Sequence, residues 1–379
     1  MAKQISDLKL GILGGGQLGR MLIQEAINYN LVTHVLDPDH DAPCKDIAHK
    51  FECGSITDFD TVYQFGKKAD IITIEIEKVN IEALEQLERE GKVVYPQPRV
   101  IRLIQDKGIQ KQFFKENDIP TAPFQLIGSK EDLHSCAFSF PYIVKQRRDG
   151  YDGKGVMLVS GPEDIDNTFD APMLAEALVN FEKEIAVIVS RNPNGDIKTF
   201  PVVEMEFNKE ANLVEFLISP STYPEAIQQK AEKIAVSIAT ALNITGLLAV
   251  EMFITHDGDI LVNELAPRPH NSGHHSIEGN YTSQFAQHLR AIFNLPPGDT
   301  RSLSNAVMIN LLGEKKHEGL AVYQDLERVL AIEGVYVHLY GKKYTKPFRK
   351  MGHVTVVDQN RDKAIEKARY VQQTLKVIS

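Results

Sequence analysis

The chain has little cysteine: Cys44, Cys53 and Cys136 are the only three in 379 residues, and none forms a CxxC pair. So few and scattered thiols build neither a disulfide framework nor a structural zinc site, and they fit a reducing compartment. Long apolar runs are missing too. None approaches the roughly 18 residues of a membrane span, and Met-Ala-Lys-Gln opens the chain without the apolar core of a signal peptide. A cytoplasmic location is the expectation. There is no excess of positive charge: 42 Lys and Arg against 51 Asp and Glu leave a net charge of −9, which disfavours a general nucleic-acid binder. No internal repeat or low-complexity tract breaks the pattern.

What remains is an ordinary composition, 43% hydrophobic and 25% charged, on a chain long enough for two or three domains. The stretch that organises it is GLLAVEMFITHDGDILVNELAPRPHNSGHHSIEG, residues 246–279. Two apolar runs flank His256-Asp257-Gly258-Asp259, and Asp-Gly is a preferred pair for a two-residue type I′ turn. With Asp257 and Gly258 as the loop, Glu251 faces Glu264 on one sheet face, with Cβ atoms about 5 Å apart, where like charges repel. At an effective dielectric of about 20 that repulsion costs on the order of 3 kcal/mol. A cation between the two removes the penalty, and magnesium is held by one or two carboxylates plus substrate phosphates. The alternative is a longer turn that slips the register and leaves the pair unformed. Arg268, His270, His274 and His275 crowd the loop that follows.

Ahead of this hairpin, residues 9–37 read as a βαβ unit: a strand over Leu10–Leu13, Gly14-Gly15-Gly16-Gln17-Leu18-Gly19, a helix, and a second strand ending at Asp37. The glycines fit G-x-G-x-x-G, with Asp37 near the place of a ribose-binding acid. A dinucleotide, the phosphate of another ligand at the helix N-terminus, or a structural tight turn all satisfy that pattern. Tyr95-Pro96-Gln97-Pro98 marks a first boundary, and the segment 295–298 a second, giving domains 1–97, 98–295 and 296–379. One helix is expected from Val100 to Asn117. A strand ending in Lys145 enters a glycine-rich loop, 147–155, and returns through Val156–Val159. This is not a Walker A loop, since no helix follows, but its amides can wrap phosphates while Lys145 and Lys154 supply charge. A plain hairpin tip is the alternative. Glu176 lies on a short strand, Glu184 opens another, and a helix from Pro224 to Leu242 follows with Thr222 as its expected cap. Lys342, Lys343, Lys346, Arg349 and Lys350 form a basic cluster near the end, either solvated or anion-binding.

Taken together, GGGQLGRM at 14–21, LDPDHDAPC at 36–44, GYDGKG at 150–155, NELAPRPHNSGHHSIE at 263–278 and RKMGHVTV at 349–356 resemble the ATP-grasp superfamily. Within it the chain is similar to the N5-carboxyaminoimidazole ribonucleotide synthases. The resemblance implies α/β and α+β architecture: a Rossmann-like N-terminal domain, a central ATP-grasp domain and a small β-rich C-terminal domain. It implies a homodimer that joins 5-aminoimidazole ribonucleotide to bicarbonate at the expense of ATP, with Mg2+. By the same resemblance Glu251 and Glu264 hold the metal and Asn263 lies beside the nucleotide. Lys107 and Lys145 contact phosphates under the loop Gly150, Tyr151, Asp152, Gly153, Lys154, Gly155 and Val156. Main-chain groups of Glu176, Ala177, Leu178 and Val179 read adenine, and Glu184 takes the ribose. Arg268 steadies bicarbonate, while Tyr151, Asp152, His270 and Lys350 surround the aminoimidazole. The substrate 5′-phosphate is expected at Gly15, Gly16, Gln17 and Leu18, with Arg349 and Lys350 nearby. Lys107 stands where the family usually has arginine, and Phe207 where it has histidine. Rival readings are a formate-dependent transformylase of the same superfamily, a nicotinamide oxidoreductase, and a nucleotide-binding regulator without turnover.

Overall fold

A computed structural model describes residues 4–148, 150, 155–208 and 213–379. The apolar run Leu10–Leu13 is buried throughout, as a strand covered on both faces must be. It belongs to β1 (Lys9–Leu13), followed by α1 (Gln17–Asn28), β2 (Val32–Asp37), β3 (Lys50–Cys53), α2 (Phe59–Gly66), β4 (Ile71–Ile74), α3 (Ile81–Arg89) and β5 (Val93–Val94). The five strands make a parallel sheet in the order β3-β2-β1-β4-β5. Asp58 and Asn80 start α2 and α3 by accepting from the amides of Thr61 and Ala83.

The single helix expected over 100–117 is two, α4 (Pro98–Gln105) and α5 (Lys107–Glu116). Asp106 breaks it. Its backbone is extended, at φ −119° and ψ 106°, and its carboxylate caps α5 by accepting from the amides of Gly108 (2.9 Å) and Ile109 (3.2 Å). An aspartate that can satisfy first-turn amides with its side chain competes with helix continuation. Next come β6 (Phe124–Ile127), β7 (Tyr142–Gln146), β8 (Val156–Val159) and β9 (Met173–Ala177), an antiparallel sheet ordered β6-β9-β7-β8.

The largest sheet has nine strands. It contains β10 (Phe181–Arg191), β11 (Ile197–Thr199), β12 (Val203–Asn208), β13 (Leu213–Ser219), β14 (Gly246–Thr255), β15 (Ile260–Ala266) and β16 (Asn305–Leu312). Beyond β16 the strands Lys350–Asp358 and Val335–Leu339 continue it, so the C-terminal segment shares this sheet's hydrogen-bond ladder. Helix α6 (Glu225–Leu242) buries Ala231, Ala235, Ile238, Ala239 and Leu242 against it. Thr222 is not the cap of α6, contrary to expectation. Its amide and hydroxyl donate to the buried Glu204 carboxylate at 2.7 and 3.2 Å, and Pro224 occupies the cap position. Two short helices, α7 (Ser276–Gly279) and α8 (Gln284–Ile292), leave the far side of β15. Phe285, Leu289 and Ile292 of α8 share a core with Leu10, Ile12, Met21 and Ile23, which fixes the first sheet to the large one. Among the described residues no helix is long and apolar enough to cross a membrane.

Candidate active site

Glu251 and Glu264 are directly paired across β14 and β15, as the sequence suggests, but the turn that places them is different. The loop is three residues long, not two. Thr255 N donates to Asp259 O at 2.9 Å, Gly258 N donates to Thr255 O at 2.9 Å, and Gly258 sits at φ +80°. That is a type I turn followed by a left-handed glycine, the usual three-residue alternative. The extra residue would turn Glu264 away from Glu251. A bulge between Glu251 and Met252 restores the match: Met252 pairs Val262 while Glu251 pairs Glu264, leaving Asn263 as the extra residue. Asn263 and Glu264 thus meet the site side by side.

Both carboxylates line a cleft and stay within reach of a ligand, with side chains 18% and 41% accessible. Lys107 Nζ lies 2.5 Å from Glu264 Oε2, and its charge holds the Glu264 carboxyl below the ordinary glutamate range despite burial. Burial and the neighbouring Glu264 charge push Glu251 the other way, up. Glu184, on β10, is pushed up to about 7 by burial, with Glu264 adding to the shift. Glu251 and Glu184 are thus held up by burial and by neighbouring carboxylate charge, a strain that a divalent ion relieves, and their hard oxygens suit magnesium. The residues present therefore fit the metal that the resemblance implies.

A second ion network lies behind the first. Lys111 Nζ is 2.5 Å from Glu176 Oε1, Lys145 Nζ is 2.5 Å from Glu176 Oε2, and Lys145 also donates to Asn263 Oδ1 at 2.9 Å. Burial lowers the Lys111 ammonium to about 8 against the pull of Glu176. Lys111 went unremarked in the sequence. Its signal was there, one helical turn after Lys107 on the same face of α5. The main chain of Glu176 pairs with Phe124 and Ile143, and the Ala177 amide donates to Pro123 O, so Leu178 and Val179 form the strand's exit. At the root of the glycine-rich loop, Gln146 N donates to Gly155 O at 2.8 Å, and Val156 pairs Lys145. Tyr151, Asp152, Gly153 and Lys154 lie outside the described residues.

On the opposite wall, Arg268 Nε lies 2.9 Å from Glu77 Oε1, a partner from the loop after β4 that no local pattern in the sequence announces. His270 accepts from the Ser272 amide at Nδ1 (3.3 Å), which leaves the proton of the neutral ring on Nε2, 3.4 Å from Glu251 Oε1. His274 and His275 are buried, and burial drives both imidazoles down, His275 to about 4. Lys350 begins a strand, and its charge acts on Glu251. Arg349 is turned elsewhere, donating to Tyr344 O at 2.7 Å within its own loop. That loop rests on the N-terminal domain through Lys343 and Asp41, 2.8 Å apart.

The first glycine loop departs most from expectation. Gly15 N donates to Asp37 Oδ2 at 2.6 Å, while Gly16 N and Gly19 N donate to the two oxygens of Glu75 at 2.7 and 2.6 Å. Asp37 is therefore a brace for the loop, not a ribose acid, and the Gly15 and Gly16 amides expected for a phosphate are already taken by carboxylates. In the first turn of α1 the Gly19 amide is likewise taken by Glu75, and among the described residues the amides of Gln17 and Leu18 are the ones left with neither an intrahelical acceptor nor a carboxylate. The close fit explains the glycines: a Cβ on Gly14 or Gly16 would lie 2.4 Å from Glu75 atoms.

Known proteins share the sequence and the fold of this chain. Residues 8–105 match the ribonucleotide synthetase preATP-grasp domain, 112–285 the ATP-grasp domain, and 306–367 the phosphoribosylaminoimidazole carboxylase C-terminal domain. The N5-carboxyaminoimidazole ribonucleotide synthase of Bacillus subtilis is 36% identical over 375 residues, covering 97% of this chain and 96% of the relative. The chloroplastic phosphoribosylaminoimidazole carboxylase of Vigna aconitifolia is 36% identical over 93% of this chain, which spans only 64% of that longer relative. Among solved structures, N5-carboxyaminoimidazole ribonucleotide synthetase from Thermotoga maritima superposes with a TM-score of 0.91 at 42% identity, covering 98% of this chain and 99% of that one. The Aspergillus clavatus enzyme in complex with ADP and 5-aminoimidazole ribonucleotide gives 0.87 at 32% identity, covering 97% and 98%. With this coverage at both ends, the chain belongs to the N5-carboxyaminoimidazole ribonucleotide synthase family of ATP-grasp ligases.

Proposed function

We propose that this chain carboxylates 5-aminoimidazole ribonucleotide, using bicarbonate and ATP to give N5-carboxyaminoimidazole ribonucleotide, ADP and phosphate in purine biosynthesis. The observation that carries the reading is the opposed Glu251 and Glu264 pair with Lys107 and Lys145 at its rim. Glu251 and Glu264 would hold Mg2+, which neutralises charge on the transferred phosphoryl group when bound. Lys107 and Lys145 grip the phosphates as point charges, and Glu176 with Lys111 sets where Lys145 stands.

Bicarbonate is a poor carboxyl donor until one oxygen attacks the γ-phosphorus and ADP departs, which gives carboxyphosphate. Arg268, fixed by Glu77, brings the positive charge of its guanidinium to that anion. The exocyclic amine of the ribonucleotide then attacks the carboxyl carbon, phosphate leaves, and the amine loses a proton. His270 and Lys350 flank this position and favour the developing negative charge. Carboxyphosphate hydrolyses readily, so the glycine-rich segment rooted at Gly150 and Gly155 has a use in keeping water out.

The test is ADP release with labelled bicarbonate and the ribonucleotide, each omitted in turn. Full turnover and label in the product need all three substrates. ADP release that requires formate and ignores bicarbonate would transfer the chain to a transformylase.

A further inference from the structure

Gln284 stands at the first position of α8, and its side chain is completely buried. Its carboxamide pairs with the main chain of one residue in the manner of a strand partner. Oε1 accepts from His270 N at 2.8 Å, and Nε2 donates to His270 O at 2.7 Å. The same Nε2 lies 3.1 Å from His274 Nδ1. The Gln284 amide is held by Ser276 Oγ at 2.8 Å, and Ser276 Oγ donates to Gly273 O at 2.5 Å. Gly273 is pressed so close that a Cβ there would lie 2.5 Å from Gln284 Oε1.

The loop 267–275 leaves β15 with no ladder of its own, so other groups must fix His270. Its ring is addressed by Ser272 and Glu251, its main-chain N–H is held by Gln284, and its carbonyl accepts from both Gln284 Nε2 and the Gly273 amide, the latter at 3.0 Å. Helix α8 is in turn anchored to the N-terminal domain. Phe285 and Leu289 lie in the core with Leu10 and Met21, and His288 Nε2 sits 2.9 Å from Thr73 Oγ1 of β4. The side chain at 284 thus joins the sheet that carries the first glycine loop to the imidazole beside the metal carboxylates.

We propose that Gln284 is a positioning residue for the carboxylation step: it sets the height of His270 over the cleft relative to the N-terminal domain. This rests on the proposed function and adds a residue to it. A displacement of about 1 Å in such a group lowers rate far more than affinity. Gln284→Leu removes the acceptor of the His270 N–H and one of the two donors to its carbonyl, leaving the Gly273 amide on the latter, and Gln284→Glu supplies a control with pH as the variable. A neutral carboxyl offers one acceptor and one donor, as the carboxamide does, whereas the carboxylate repels His270 O. Burial favours the neutral form.

The experiment measures kcat, KM for ATP and the ratio of ADP released to labelled carboxylate product for both variants between pH 6 and 8.5. Expected for Gln284→Leu is a ten- to hundredfold lower kcat, KM for ATP within threefold, and a higher ADP-to-product ratio at every pH. Gln284→Glu is expected to regain kcat and coupling toward pH 6, relative to wild type. The proposal is overturned if Gln284→Leu keeps kcat and coupling, if KM for ATP rises in step with the loss of kcat, or if Gln284→Glu shows no gain at low pH. Absence of bicarbonate-dependent turnover in the wild type would instead strike the proposed function.

Discussion

Lys107 and Glu264 form a salt bridge with 2.5 Å between Nζ and Oε2, so the carboxylate proposed to hold the metal is balanced by the same ammonium that is expected to meet ATP. Burial alone would lower the Lys107 ammonium, yet the Glu264 charge overcomes it and raises the group. Lysine therefore stays charged here over the whole working pH range. Removing that charge with Lys107→Met is expected to raise KM for ATP at least tenfold. Lys107→Arg, which restores the charge and adds a planar fork, is expected to return KM to within threefold. Steady-state kinetics with varied ATP decide it, and a wild-type KM in the methionine variant would remove Lys107 from the phosphate site.

Asp106 caps α5 and is gripped by two arginines, with Arg147 Nε at 2.9 Å and Arg148 Nε at 3.3 Å. Asp106→Ala uncaps the helix that carries Lys107 and Lys111 and strands a partly buried guanidinium. The expected loss is roughly 3 kcal/mol of stability, combining the cap with the broken ion pair. Urea denaturation measures this. A midpoint equal to wild type would show that α5 holds its place without the aspartate.

Four imidazoles are buried and driven down by burial: His274 and His353 well below the usual value, His275 to about 4 and His288 to about 3. Each has a folded value below its unfolded one. As pH falls below about 6.5, the unfolded chain takes up protons that the fold refuses, and stability drops. His288→Gln is expected to flatten that decline between pH 6.5 and 4 by about one proton, or about 1.4 kcal/mol per pH unit. Chemical denaturation at several pH values reads the slope, and an unchanged slope would contradict the assignment.

The sequence made the carboxylate pair legible through its apolar runs and Asp-Gly turn, although by a turn one residue too short and a ladder without a bulge. Those two departures cancel at Glu251 and Glu264. Local patterns also marked α1, α3 and the C-terminal strands, where periodicity and burial coincide. What escaped was set by partners distant in sequence. Asp106 breaks a helix whose apolar period runs on. Glu75 and Asp37 fill a glycine loop that reads as a phosphate cradle, because a carboxylate and a phosphate place the same demand on backbone amides. Glu77 meets Arg268 across nearly two hundred residues, and no spacing rule reaches that far.

The central claim is that Glu251 and Glu264 together bind the divalent ion that accompanies ATP. The most direct measurement is paramagnetic resonance titration of Mn2+ into the nucleotide complex of the wild type and of Glu251→Gln and Glu264→Gln. Each variant is expected to keep the wild-type melting temperature within a few degrees while Mn2+ affinity falls at least tenfold. Mn2+ binding equal to wild type in both variants would contradict the account.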